Sequence, residues 1–248
     1  MITFRERLFN EWHKGQKIDK NGDDCGIGNI LFFIAGTIGI ATKNGYTFGL
    51  PRWVGSDYFV NPIPLPEEIE YTDIDLPWGF NGFDIPDNSN IFGWMQSEKY
   101  FEHCEDLIRY YFTMKKVIEP IKDAVIIHYR AYNNVSEMLV PLQHDYYMKA
   151  LEQLPKKRVV VVTDNIARAR NVIGEGVEYI SNTPIEDFYI VSNADYLVMS
   201  NSSFSWWGAW LSKAVTVCPK QWIPPTWGDT PGVPNSSKDI CCKNWIEI

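Results

Sequence analysis

The feature that most constrains this chain is an alternation in its second half. Short apolar runs rich in β-branched residues recur at Ala124–Tyr129, Arg158–Thr163, Val177–Ile180, Tyr196–Met199 and Val215–Cys218. Segments of helical pattern lie between them, at His144–Gln153, Asn165–Val172, Ile185–Asn193 and Phe204–Lys213. Strands with no polar alternate are buried on both faces. Strands that take turns with helices belong to a parallel sheet with crossover helices. The run Val159–Val162 therefore predicts a central strand, entered after Pro155 and closed at Asp164. This half reads as a Rossmann-like domain, in which ligands gather at the carboxyl ends of the strands.

The first half is less regular. Phe4–Lys14 predicts an amphipathic helix and Lys20–Asp24 a polar turn. Ile27–Asn44 predicts a long apolar helix that opens on a Gly-rich turn and closes near Gly45, and Tyr46–Leu50 a short strand. Residues 51–90 are rich in Pro, Gly, Asn and Asp and predict an irregular segment, followed by a helix over Glu102–Lys116. A boundary near Pro120 divides the 248 residues into two small α/β domains, 1–120 and 121–248, a size that suits independent cores.

Charge and cysteine usage narrow the function classes. The net charge of −8 argues against a nucleic-acid partner. Residues 1–120 hold 11 basic and 18 acidic groups, against 12 and 13 in residues 121–248, so a long-range field for an anion belongs to the second half. Five cysteines at irregular spacing, without a C-x-x-C pair or a His cluster, support neither a zinc site nor a disulfide framework. The dense apolar stretch Ile30–Ala41 is shorter than the ~20 residues of a membrane span and predicts a buried core helix. The start MITFRERLFNEWHK is charged rather than leader-like, so a cytoplasmic or membrane-peripheral location is expected.

Four constellations carry chemistry. Gly26-Ile27-Gly28-Asn29 opens the apolar helix, where glycines admit a close ligand and free N–H groups suit a phosphate; a tight turn is the plainer alternative. His128-Tyr129-Arg130 ends a buried strand and offers a planar cation for phosphate oxygens, unless Arg130 pairs with a local carboxylate and His128 is a core histidine. Asp164 and Asn165 follow the next strand, where an acid can accept from a ribose or base, or simply cap a helix. Asn201-Ser202-Ser203-Phe204 opens a further helix with hydroxyls and free N–H groups, a second anion site. Its Trp206, Trp207 and Trp210 read as core, whereas Trp53, Trp78 and Trp94 in the irregular segment are the rings to set against a sugar.

These residues resemble a known family. NSSFSWWGAWLSKA with Pro219 and Trp222 after it and SNADYLVMS before it, together with FGWMQSEKYFEHCEDLIRYYF, HDYYMKAL and the ending NWIEI, closely resembles the bacterial α-1,2-fucosyltransferases of glycosyltransferase family 11. GIGN resembles the family's Gly-rich opening, and AVIIHYR its strand ending in H-x-R. Where the family usually continues R-G-D, this chain has Ala131, Tyr132 and Asn133. The resemblance implies a GT-B-like architecture of two Rossmann-like domains facing a cleft, with an acceptor-side first domain and a GDP-sugar-binding second. It implies inverting transfer of L-fucose from GDP-β-L-fucose to a galactoside 2-hydroxyl, with no metal or further cofactor. Arg130 is then expected to clamp the diphosphate, and His128, Asp164, Asn165, Asn201, Ser202, Ser203 and Phe204 to contact the donor. Gly26, Gly28 and Asn29 would close over it, and Glu98 is the candidate base. The alternatives left open are another GDP-sugar such as GDP-rhamnose, or a nucleotide-sugar-binding protein without turnover.

Overall fold

The computed structural model describes residues 1–4, 26–53, 55–77, 79–131, 139–223 and 239–248. Most of the helix expected over Phe4–Lys14, the turn at Lys20–Asp24 and Trp78 lie outside them. Two compact units divide between Lys115 and Lys116, each built on its own parallel sheet. The α/β expectation with two parallel-sheet units is borne out.

The first unit runs β1 (Ile2–Phe4), α1 (Ile27–Asn44), β2 (Thr72–Asp75), β3 (Ser89–Phe92) and α2 (Glu105–Tyr111). β3 lies between β1 and β2. On the free side of β1, Ile2 bridges Phe48, so the strand expected at Tyr46–Leu50 is reduced to a single bridge. The strand ahead of the Gly-rich turn is β1, at the very start, and Phe4 ends that strand rather than beginning a helix. The segment expected to be irregular holds β2 and the start of β3; β2 reads TDID, is largely exposed and carries no apolar alternation. The expected helix over Glu102–Lys116 is shorter, since residues 98–100 and 102–104 wind as 3-10 turns before α2.

α1 is buried continuously from Ile30 to Ala41 and stops at Gly45, whose left-handed φ of 72° lets its N–H reach back to the Thr42 carbonyl. By length and composition α1 could cross a membrane, yet 72% of it is buried inside the protein, as a core helix would be. Its approach to the following segment depends on small residues. A Cβ on Gly39 would overlap the Tyr100 carbonyl oxygen, and one on Gly36 the Met95 side chain. His103 Nε2 lies 3.1 Å from the Gly39 carbonyl oxygen over the same contact.

The second unit runs β4 (Ala124–Tyr129), α3 (His144–Glu152), β5 (Arg158–Thr163), α4 (Ile166–Ile173), β6 (Glu178–Ile180), α5 (Pro184–Val191), β7 (Tyr196–Val198), α6 (Ser203–Ser212), β8 (Val215–Cys218) and β9 (Ile246–Glu247). Its six parallel strands lie in the order β6-β5-β4-β7-β8-β9, which is the 3-2-1-4-5-6 order of the doubly wound Rossmann sheet. Val160, Val161 and Val162 are fully buried, but β5 is second from one edge, and the central pair is β4 and β7. β5 is apolar because helices cover both faces of an interior strand, whatever its distance from the centre. Trp206, Trp207 and Trp210 are buried and pack on one another and on Trp245.

One cysteine expectation is corrected. Cys218, at the end of β8, and Cys241 form a disulfide. Their irregular spacing in the chain carries no signature, and it is the fold that brings the C-terminal segment back to β8. Burial pushes the Cys104 thiol up to about 11.

The Gly39 contact makes a prediction. Gly39→Ala forces a methyl group against backbone that cannot swing aside, which costs about 1–3 kcal/mol. Urea denaturation should show that loss. An unchanged midpoint would mean that α1 does not lie directly on Tyr100.

Candidate functional site

In a doubly wound sheet the strand order reverses between the first and fourth strands, and the crevice opens beyond their carboxyl ends. Here those strands are β4 and β7, registered from Val125↔Tyr196 to Ile127↔Val198. His128, Tyr129 and Arg130 continue past that pairing on one side, and Met199 to Phe204 on the other. The sequence and the topology thus bring two of the four constellations to one place.

His128 spans the crevice. Its Nδ1 lies 3.2 Å from Ser200 Oγ, and its ring stacks on Phe204 with centroids 4.8 Å apart. Phe204 in turn meets Phe188 of α5 edge-on at 5.0 Å. Burial, with the Arg130 charge behind it, lowers the His128 pKa to about 3. The imidazole is therefore neutral at physiological pH, a hydrogen-bonding group and not a cation. The Ser200 main-chain N–H donates to Ser205 Oγ at 3.2 Å, and the Tyr146 hydroxyl donates to the Met199 carbonyl at 2.7 Å, so the turn after β7 is held from two sides.

Arg130 pairs with Asp164 at 2.5 Å across the ends of β4 and β5. The other oxygen of Asp164 accepts the Ala131 N–H at 2.8 Å. Asp164 does not cap α4. That role falls to Asn165, whose side chain accepts the Arg168 N–H at 3.0 Å, while its own N–H donates to Thr163 Oγ1 at 3.1 Å. Asn201 is 3% exposed, and its Nδ2 donates to the Val140 carbonyl at 2.6 Å. Ser202 is the N-cap residue of α6 and Ser203 its first residue, and neither hydroxyl takes a partner among the described residues. The helix therefore presents its first N–H groups and two hydroxyls together, an arrangement suited to phosphate oxygens.

The remaining expected residues belong to the first unit. Gly26 and Gly28 are buried at the opening of α1. Asn29 accepts from Gln96 Nε2 at 2.9 Å, which ties the helix opening to the segment beyond β3. Glu98 lies in the 3-10 turn, half-buried, and neither pairs with Lys99 nor caps. Ser97 accepts the Lys99 N–H, and no side chain among the described residues pairs with the Glu98 carboxylate.

Three contributors were not singled out from sequence. Ser200 and Gln96 are small or neutral polar residues whose roles arise only from what they face. Asp187, 7% exposed in the first turn of α5, accepts from Asn182 Nδ2 at 2.9 Å and from the Asn182 N–H at 3.2 Å. Burial chiefly, with the Glu186 and Asp164 charges adding, raises its pKa to about 6 against those hydrogen bonds. Among the described residues no cluster of three His, Cys, Asp or Glu side chains could hold a metal.

The two shifted groups give opposite stability slopes. His128 falls from 6.5 to about 3, so its contribution is whole above pH 6.5 and is lost as pH falls toward 3. Asp187 rises from 3.8 to about 6, so its contribution is whole below pH 3.8 and is lost as pH rises through 6. Between these limits the two slopes, each about 1.4 kcal/mol per pH unit, oppose and nearly cancel. Asp187→Asn removes one of them. Relative to the parent, its stability by urea denaturation should fall progressively between pH 6 and 4. Parallel pH profiles would contradict the buried pair.

Comparison with known proteins follows from this geometry. The family model described as Glycosyl transferase family 11 matches residues 56–248. An α-1,2-colitosyltransferase of Escherichia coli is 28% identical over 184 residues, 63% of this chain and 61% of that protein. The O-antigen biosynthesis glycosyltransferase WbnK of Escherichia coli is 26% identical over 163 residues, 58% of this chain and 50% of that protein. The matched stretch thus spans between half and three-fifths of the length of these curated relatives. Among solved structures, the fucosyltransferase NodZ from Bradyrhizobium is 14% identical over 74% of this chain and 89% of that chain, with a TM-score of 0.46.

Proposed function

This chain belongs to glycosyl transferase family 11, and on that premise we propose that it transfers a deoxyhexose from a GDP-sugar to a glycan hydroxyl. The linkage is α-1,2 and the reaction inverts the transferred carbon. The observation that carries this reading is the gathering, at the carboxyl ends of β4, β5 and β7, of a neutral His128, the Arg130–Asp164 pair and the open N-terminus of α6. The donor is GDP-β-L-fucose and the acceptor a galactoside 2-hydroxyl. The relative named an α-1,2-colitosyltransferase supports the linkage and makes GDP-colitose the nearest alternative donor, ahead of GDP-rhamnose.

The chemistry needs a departing diphosphate to be stabilised and an acceptor hydroxyl to lose its proton on the opposite face. Phosphate oxygens meet the α6 N–H groups and the Ser202 and Ser203 hydroxyls, where the helix dipole favours negative charge. Arg130 adds a planar fork already oriented by Asp164. Because His128 is neutral, it offers a hydrogen bond to the nucleoside without competing for the phosphates. Gly26, Gly28 and Asn29 complete the donor site, and Glu98, whose carboxylate has no ion-pair partner among the described residues, serves as the base. The leaving group is carried by side chains and N–H groups, so EDTA leaves turnover unchanged.

Thermal denaturation with GDP, UDP and dTDP tests the nucleotide. A ligand at 100 times its Kd stabilises by about 2.7 kcal/mol, and only GDP should do so. Stabilisation by UDP alone would overturn the reading. Arg130→Ala should lower transfer by about 10²–10³-fold, as loss of an oxyanion donor does, while the melting temperature changes little because a part-exposed pair contributes ~1 kcal/mol or less. Glu98→Gln should depress kcat and leave GDP affinity alone. A variant of either kind with wild-type turnover removes that residue from its role, and GDP binding without transfer from any of the three GDP-sugars would favour a binding protein.

A further inference from the structure

One peptide unit of the second domain is held at both ends. It joins Met199 to Ser200, where β7 gives way to the turn that leads into α6. Its carbonyl accepts the Tyr146 hydroxyl of α3 at 2.7 Å, and its N–H donates to Ser205 Oγ of α6 at 3.2 Å. The Tyr146 hydroxyl also lies 3.5 Å from the Val217 carbonyl of β8. A hydroxyl has one proton to donate, and the shorter contact takes it. Val217 is served already, because its carbonyl accepts the Met199 N–H at 2.9 Å. Among the described residues, Tyr146 is the one donor to the Met199 carbonyl. Burial chiefly, with Tyr147 beside it, raises the Tyr146 pKa well above 10, so the hydroxyl keeps the proton that it donates.

Met199, Ser200 and Ser205 are all buried, so water does not stand in for a lost partner. A buried carbonyl deprived of its donor bears the full cost of its desolvation, and rotation of the peptide is its way to another donor. That rotation turns Met199 ψ and Ser200 φ together, and it moves whatever hangs from Ser200. Ser200 Oγ lies 3.2 Å from His128 Nδ1, and the Ser200 carbonyl accepts the Ser202 N–H at 2.9 Å. The Ser202 carbonyl accepts the Trp206 N–H at 2.9 Å, which closes the first turn of α6. The groups that would face a diphosphate are thus suspended from one peptide, and its carbonyl end is set by a hydroxyl on a different helix.

We propose that Tyr146 is a positioning residue of the donor site, whose hydroxyl fixes the Met199–Ser200 peptide in the setting that receives a diphosphate. The inference rests on the transferase reading above. Without the hydroxyl the turn is competent for part of the time, and apparent affinity falls by that fraction while the bound complex is unaltered. Tyr146→Phe should therefore raise the GDP Kd and the donor KM about 10-fold and hold kcat within about 2-fold. Ser205→Ala frees the other end of the same peptide and should give the same split, and it decides the matter should Tyr146→Phe not fold. Tyr179→Phe is the control. It removes a hydroxyl that donates to a different backbone carbonyl, that of Gly174, near the β6 edge of the same sheet. It should lower the melting temperature comparably and leave KM and Kd unchanged. Amide hydrogen exchange without nucleotide is the second measurement: residues 200–206 should exchange about 5-fold faster or more in Tyr146→Phe than in the parent or in Tyr179→Phe. An unchanged KM, a fall in kcat with KM unmoved, the same KM shift in Tyr179→Phe, or exchange equal to the parent's would overturn the proposal. GDP binding and transfer by the parent with none of these changes in Tyr146→Phe would leave the transferase reading standing. A parent that neither binds GDP nor transfers would overturn both.

Discussion

A parallel sheet whose strand order reverses leaves a crevice between the two strands that lead away from each other, and in the second unit one neutral imidazole crosses it. His128 leaves β4 and reaches Ser200 beyond β7, with Phe204 of α6 against its face. Three elements therefore meet on one ring. A charge on that ring would be desolvated and would sit near Arg130, so the environment and the neutral state select each other. The turn after β7 is held as well by Ser205 Oγ and the Tyr146 hydroxyl, and that turn sets where α6 begins and where its first N–H groups lie.

The electrostatics of the crevice are economical. Arg130 and Asp164 neutralise each other across adjacent strand ends, so the fixed positive potential there comes mainly from the α6 N-terminus. Asp164 also takes the Ala131 N–H, which makes it a structural clamp on the chain leaving β4 as well as a partner for the cation. A single carboxylate thus orients a guanidinium and a backbone turn together. A displaced Asp164 would cost both, which is a stricter constraint than a surface ion pair imposes.

The second unit was largely legible from sequence because its strands are buried on both faces. Runs such as VIIH and VVVV admit no other home, and the helices between them stand within one or two residues of their predicted ends. Periodicity cannot rank strands: the valine run marks β5 as buried on both faces, while β4 and β7 form the central pair. It also missed β9, two residues long at the sheet edge. In the first unit β2 is polar and exposed on an edge, and β1 is three residues long, so neither leaves a periodic trace. Candidate site residues were legible where chemistry demanded an unusual type, as with Arg130 and the Asn201–Ser203 run. Ser200, Gln96 and Asp187 were not, because a serine, a glutamine or an aspartate acquires its role only from the neighbour that the fold supplies. Cys218 and Cys241 make the same point for a covalent contact.

The aromatic excess divides along the same physical line. Where rings sit on a regular element among apolar neighbours, as Trp206, Trp207 and Trp210 do, they fill volume and their spacing shows it. Trp94, just past β3 and only half-buried, packs on Phe33 at 5.8 Å. Trp53 lies off the regular elements and is yet only 8% exposed, packed near Phe59 at 5.6 Å with Gly55 against its ring. A ring buried among apolar side chains gains from hydrophobic burial alone. What packs on a ring decides its burial, not whether it sits on a helix or a strand, so the number of rings in the sequence cannot by itself separate a recognition surface from a core.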